Sequence, residues 1–373
     1  MPDPTPAILQ VLPALRAGGV ERGTVEMVSA IHRAGFRSLV ASSGGPLAAE
    51  VEAAGGRHIT LPLHRKSPLA LWSGALALRR LIAAEGVRIV HARSRFPAWS
   101  AFWAARRAGA AFVTTYHGSY NEDFPGKRRY NSVMARGDRV IAVSQFIAEL
   151  IENRHGTDPS RIRVIPRGVD PDRFDPAVVD RARLAALRTA WNVPEERAVV
   201  ALPARLTRWK GAGVFLRAMA ALGPGRPFAL VIGEGRYRAE LERDVVSLGL
   251  AGDVAIPGHA TDMPAALLLA DLVVHASTDA EAFGRTVIEA QAMRRPVIAA
   301  DLGGPRETVE EGVTGWRVPP GDAEALAAAI ARAMALPPAG RAAIGNAARS
   351  AVLARHTTAA MQDATLAVYR ELL

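Results

Sequence analysis

The sequence predicts an α/β protein of two Rossmann-like domains facing each other across a cleft, and three observations carry that expectation. At 373 residues the chain is too long for one ordinary hydrophobic core, so two domains of roughly 150–200 residues are expected. Short apolar runs alternate with longer Ala- and Leu-rich amphipathic stretches, the pattern of βαβ units around a parallel sheet. The alternation breaks once, at the Pro- and Asp-rich RGVDPDRFDPAVV (167–179), and then restarts with the same architecture.

In the first half AILQVLP (7–13) reads as a buried strand, GGVERGTVEMVSAIHRAG (18–35) as a glycine loop and a helix ended by Gly35, and SLVAS (38–42) as the next strand. LALWSGALALRRLIAAEG (69–86) is helical, VRIVHA (87–92) a strand, SAFWAARRAGA (100–110) a helix, and AFVTTYHG (111–118) a strand that stops at a loop. RVIAVS and QFIAELIENRHG repeat the unit, and IRVIPRGVD (162–170) is its last strand. The second half supplies AVVALPARL, FALVIGEG, VAIPG, LVVHAST, PVIAAD and GWRVPP as strands with helices between them. Domains of 1–172 and 173–356 follow, with a helix of about 357–373 able to pack back on the first.

Composition narrows the class. Hydrophobic content of 49% with 22% charged residues is that of a soluble globular protein. The longest apolar run, near 265–276, is interrupted by Asp271 and is too short to span a bilayer. MPDPTPAILQVLPAL has no basic n-region, so no secretory leader is expected, and the absence of cysteine excludes disulfides, thiolate metal sites and cysteine nucleophiles. Both fit a cytoplasmic enzyme. The net charge of +10 points to anionic partners; without a recognition motif, nucleic acid is not expected among them. That charge is lopsided. Residues 1–175 carry 24 Lys and Arg against 15 Asp and Glu, a balance of +9, and the rest carry 22 against 21.

The most informative stretch is DAEAFGRTVIEAQAMRRPVIAADLGGPRE (279–307). A strand should end before it and a helix begin at Arg285, which puts Gly284 at a helix N-terminus suited to phosphate oxygens. Glu281 in the loop and Glu289 in the first turns of the helix can bracket one ligand, since carboxylates take paired hydrogen bonds from vicinal sugar hydroxyls. A phosphate between two polyols is a nucleotide sugar. ARLTRWKG adds Arg205 and Lys210 after the first strand of the second domain, a guanidinium and an ammonium suited to a diphosphate. Gly233 in GEG marks a turn or a close backbone approach. In the first half, Gly18 and Gly19 open a helix, and His117 lies at a strand end beside Gly118.

Together E-x-F-G-x-x-x-x-E with a following Gly-Gly, R-x-x-x-x-K-G, HGSY after a strand and the N-terminal Gly-Gly loop resemble glycosyltransferase family 4, along nearly the whole chain and in the right order. The resemblance implies a GT-B fold, a retaining mechanism and transfer from a UDP- or GDP-sugar, bound as substrate, to a cell-envelope polysaccharide or lipid-linked acceptor. It implies no cofactor and no metal. Arg205 and Lys210 would neutralise the donor diphosphate, Glu289 would hold the ribose and Glu281 the sugar. Phe283, Gly284, Arg285 and Thr286 would offer backbone N–H groups, with Gly18 and Gly19 closing on the donor and His117 meeting the sugar or acceptor. Ala282, where many members carry Gly or Pro, and Arg285, where aliphatic residues are common, depart from the pattern. A nucleotide-sugar epimerase and a non-catalytic sugar-binding protein remain as alternatives. The DPD at 170–172 reads as a Pro turn rather than a metal site. HRK (64–66) and Arg79–Arg80 flank SPLALWSGALAL with its Trp72. With GKRRY (126–130), they suggest a peripheral place on the anionic inner face of a membrane.

Overall fold

The computed structural model describes residues 5–16 and 18–373. Residues 1–4, on which the leader expectation partly rests, and Ala17 of the Gly-Gly loop lie outside them. The chain divides into two compact units, one running to Pro166 and including Ala359–Leu373, the other Arg167–Thr358.

The first unit holds β1 (Ala7–Val11), β2 (Arg37–Ser42), β3 (Arg57–Thr60), β4 (Val87–Ala92), β5 (Ala111–Tyr116), β6 (Arg139–Ala142) and β7 (Ile162–Val164). They form one seven-stranded sheet in the order β3-β2-β1-β4-β5-β6-β7, every pair parallel. Runs such as AILQV are buried along their full length, which is why they read as strands of a sheet covered on both faces. Sequence reading missed β3. RHIT is a half-exposed edge strand, so it carries no apolar run to betray it.

The helix Pro68–Glu85 starts at Ser67, whose hydroxyl accepts from the Ala70 N–H at 3.2 Å, and ends at Gly86 in the left-handed conformation. The next helix, Arg95–Ala108, begins earlier than expected because Arg95, Phe96 and Pro97 complete its first turn. The C-terminal helix Thr358–Arg370 packs Met361, Leu366, Val368 and Tyr369 against Ile8, Ile31, Ile89 and Val113 of this unit. Glu371 fixes its end by pairing with Arg139 and Arg163.

The second unit holds β8 (Val199–Pro203), β9 (Phe228–Ile232), β10 (Val254–Gly258), β11 (Leu272–His275), β12 (Val297–Ala300) and β13 (Gly315–Val318). Their order is β10-β9-β8-β11-β12-β13, again all parallel. Each sheet reverses its winding once, between β1 and β4 and between β8 and β11. Open α/β sheets bind ligands outside the strand ends at such points.

Candidate functional site

Two neighbouring strands that leave the centre of the second sheet in sequence-distant loops bring the motifs together. The loop after β8 carries Arg205 and Lys210, and the loop after β11 runs through Ser277 and Glu281 to the helix Arg285–Ala292. Lys210 Nζ meets Glu281 Oε1 at 2.6 Å, although the two are 71 residues apart. The same oxygen bonds His275 Nε2 at 2.7 Å and accepts from the Ser277 hydroxyl.

Glu281 is thus an inward carboxylate with 13% of its side chain exposed. Burial alone would raise its pKa. The charge and hydrogen bonds of His275 and Lys210 overcome that and hold it well below the usual carboxylate range. It stays ionised at neutral pH and can accept hydrogen bonds there but not deliver protons. His275, 7% exposed, and Ser277 were both missed by sequence reading. A histidine closing an apolar strand looks like core, and only the fold turns it onto Glu281.

Gly284 caps the helix N-terminus with φ 80°, and Phe283 behind it is buried against the His356 ring at 5.7 Å between centroids. Thr286 lies in the first turn; Glu289 follows in the second, 14% exposed, its Oε1 3.6 Å from Arg285 Nε. The following Gly-Gly pair has a structural task. Gly303 adopts φ 66°, and a Cβ there would fall 2.5 Å from the Glu281 carbonyl oxygen, which also accepts from the Gly304 N–H at 2.9 Å. These two glycines clamp the loop that presents Glu281. Gly233 (φ 147°) is likewise demanded by the chain itself, since a Cβ would lie 1.9 Å from the Ala204 carbonyl oxygen. Arg205 is exposed to solvent.

In the first unit Gly18, extended, precedes the helix Gly19–Arg33, and both glycines are exposed. His117 follows β5, half-buried, its N–H 3.4 Å from the Tyr120 hydroxyl, while Arg95 lies 4.2 Å above the Tyr120 ring. Arg93, which sequence reading did not single out, is 3% exposed at the end of β4 and donates to Gln10 Oε1 at 3.1 Å. Its residue type at a strand end was the available signal. The DPD segment is a turn: Asp170 Oδ1 accepts from the Asp172 and Arg173 N–H groups.

Two family models match the chain in succession, Glycosyltransferase Family 4 over residues 17–173 and Glycosyl transferases group 1 over 185–351. The D-inositol 3-phosphate glycosyltransferase of Salinispora tropica is 36% identical over 223 residues, 56% of this chain and 46% of that protein. The chain thus spans about half the length of the curated relatives it matches. A glycosyltransferase from Rickettsia africae has a solved structure at 34% identity and TM-score 0.90, covering 99% of both chains. Anabaena HepE in complex with UDP-glucose follows at 25% identity and TM-score 0.84, covering 98% of this chain and 100% of that one.

Proposed function

The chain belongs to glycosyltransferase family 4, with the GT-B fold, and on that premise we propose that it transfers a hexosyl group from a nucleoside diphosphate sugar to an anionic acceptor. The observation that carries this reading is the Lys210–Glu281–His275 cluster beside a helix N-terminus at the switch point of the second sheet. The UDP-glucose held by HepE favours a UDP-sugar as donor.

In this reading the diphosphate takes the N-terminus opened by Gly284, with the Phe283 to Thr286 N–H groups, Lys210 and Arg205 drawing its charge. Breaking the anomeric C–O bond sends its electron pair onto the diphosphate, and cations fixed beforehand lower that barrier. No divalent metal is required for that step. Glu281, ionised at neutral pH, steers the sugar hydroxyls and holds Lys210, while Glu289 takes the ribose hydroxyls. The acceptor hydroxyl forms the new C–O bond on the face the leaving group vacates, and its proton passes to the departing phosphate oxygen, so configuration is retained.

The acceptor follows from the charge. A balance of +9 in residues 1–175 suits a phosphate-bearing acceptor, and a lipid-linked cell-envelope intermediate at the inner face of the membrane is the reading we favour. A phosphorylated cyclitol is the second reading, favoured by the D-inositol 3-phosphate glycosyltransferases among the relatives.

Glu289→Ala tests the donor half. Its loss should raise the donor KM by roughly 10–100-fold, the scale of hydrogen bonds to a charged group, and move kcat less. Steady-state kinetics with the donor varied reads it. Unchanged donor KM would remove Glu289 from the ribose.

A further inference from the structure

The helix Pro68–Glu85 covers its sheet with little of its surface: only Gly74, Leu78 and Ile82 are buried. Leu69 is 80% and Trp72 65% exposed, side chains that a helix serving only as a sheet cover would turn inward. Together with Arg95–Ala108 this helix forms an open groove of about 310 Å³ lined by Trp72, Leu76, Trp103, Arg79 and Arg107. Apolar and cationic side chains line the groove together.

The charge around it is one-sided. Between residues 61 and 110 the chain carries nine Lys and Arg against one acid, Glu85. That acid pairs with Arg37 and Arg57 and offers no counter-charge to the groove. His64, Arg65 and Lys66 lie exposed just ahead of Leu69, and Arg79 and Arg80 are exposed a few turns on. GKRRY contributes less than its composition suggests, because Lys127 pairs with Asp123 and Arg128 donates to the Arg154 carbonyl.

We propose that this face docks the protein on an anionic lipid bilayer, with Leu69 and Trp72 entering the interface and Arg79, Arg80, Arg65 and Lys66 meeting lipid phosphates. Exposed Trp and Leu between cations that stay in the headgroup layer is the arrangement of an interfacial helix. A second copy of the chain is disfavoured as occupant, since a symmetric contact would bring the same cations together. The inference rests on the lipid-linked reading of the acceptor and identifies the surface that would bring the chain to it.

The test is co-sedimentation of the full chain with vesicles of phosphatidylglycerol and phosphatidylcholine, and with phosphatidylcholine alone. The expected result is binding to the anionic vesicles at low salt and about tenfold less in roughly 0.5 M salt, where the Debye length shrinks to a few ångströms. Leu69→Ser with Trp72→Ser, and separately Arg79→Glu with Arg80→Glu, should each weaken binding about tenfold. Brominated lipid should quench the wild-type tryptophan emission more than that of Trp72→Phe. Indifference of the wild type to anionic vesicles, or full binding by both double variants, overturns the proposal. So does a concentration-dependent dimer that Trp72→Ser dissolves. The thermal response to UDP-sugars, measured on the same samples, separates the two readings. A protein that ignores vesicles but responds to donor loses only this surface, whereas one that never responds to donor loses the proposed function.

Discussion

Replacing Lys210 by Ala should lower kcat by roughly 10²–10³-fold, the loss expected when one preorganised donor to a developing negative charge is removed. The ammonium is already fixed before any ligand arrives, 2.6 Å from Glu281 Oε1 and 4.6 Å from the centre of the Trp209 ring. Little reorganisation is then needed as charge grows on the diphosphate. Arg205→Ala should fall in the same range, since the residue sits in the same loop after β8. EDTA should leave both the wild type and these variants unchanged if, as proposed, side chains meet the diphosphate charge. Stopped-time assays of donor turnover with saturating donor decide it. A Lys210→Ala enzyme with normal kcat and a lowered melting temperature would make the lysine a structural partner of Glu281 only.

Glu281→Gln gives the second large effect, and it has two readouts. The amide keeps the shape but leaves Lys210 and His275 without the charge both of them face, and losing one partner of a buried pair typically costs about 3–5 kcal/mol. Turnover should fall with it, because Lys210 loses its anchor. A double variant, Lys210→Ala with Glu281→Gln, should therefore lose less than the product of the single losses. The pH dependence has a definite sign. The carboxyl is held below the usual range in the folded protein, so its stabilisation is present above the ordinary glutamate value near 4.5 and fades as pH falls below it. Urea midpoints of the wild type should drop more steeply on acidification than those of Glu281→Gln. Parallel acid limbs would mean that the cluster does not hold the loop.

The main strands were legible because they pack largely apolar, fully buried runs into a sheet covered on both faces, as AILQV and FALVI do. The motif residues were legible for a different reason: Glu281, Gly284 and Glu289 interrupt otherwise core-like sequence. What stayed hidden depends on pairing over distance. Lys210 and Glu281 become neighbours only because β8 and β11 are adjacent at the reversal of strand order, which no local pattern encodes. His275 was concealed by its apolar strand, and β3 by its exposure. For the helix at 68–85 the flanking basic residues suggested a membrane surface. Its sequence does not say that Leu69 and Trp72 point to solvent, and the structure does.

A thermal-shift panel of UDP- and GDP-sugars against the wild type and Lys210→Ala decides whether a nucleoside diphosphate sugar binds at the Lys210–Glu281 cluster. Ligand at about 100 times its dissociation constant stabilises by roughly 2.7 kcal/mol, enough to move the melting temperature by several degrees. At least one UDP-sugar should shift the wild type clearly upward and shift Lys210→Ala much less at the same concentration. No shift with any nucleotide sugar, or equal shifts in both proteins, would contradict binding at that cluster.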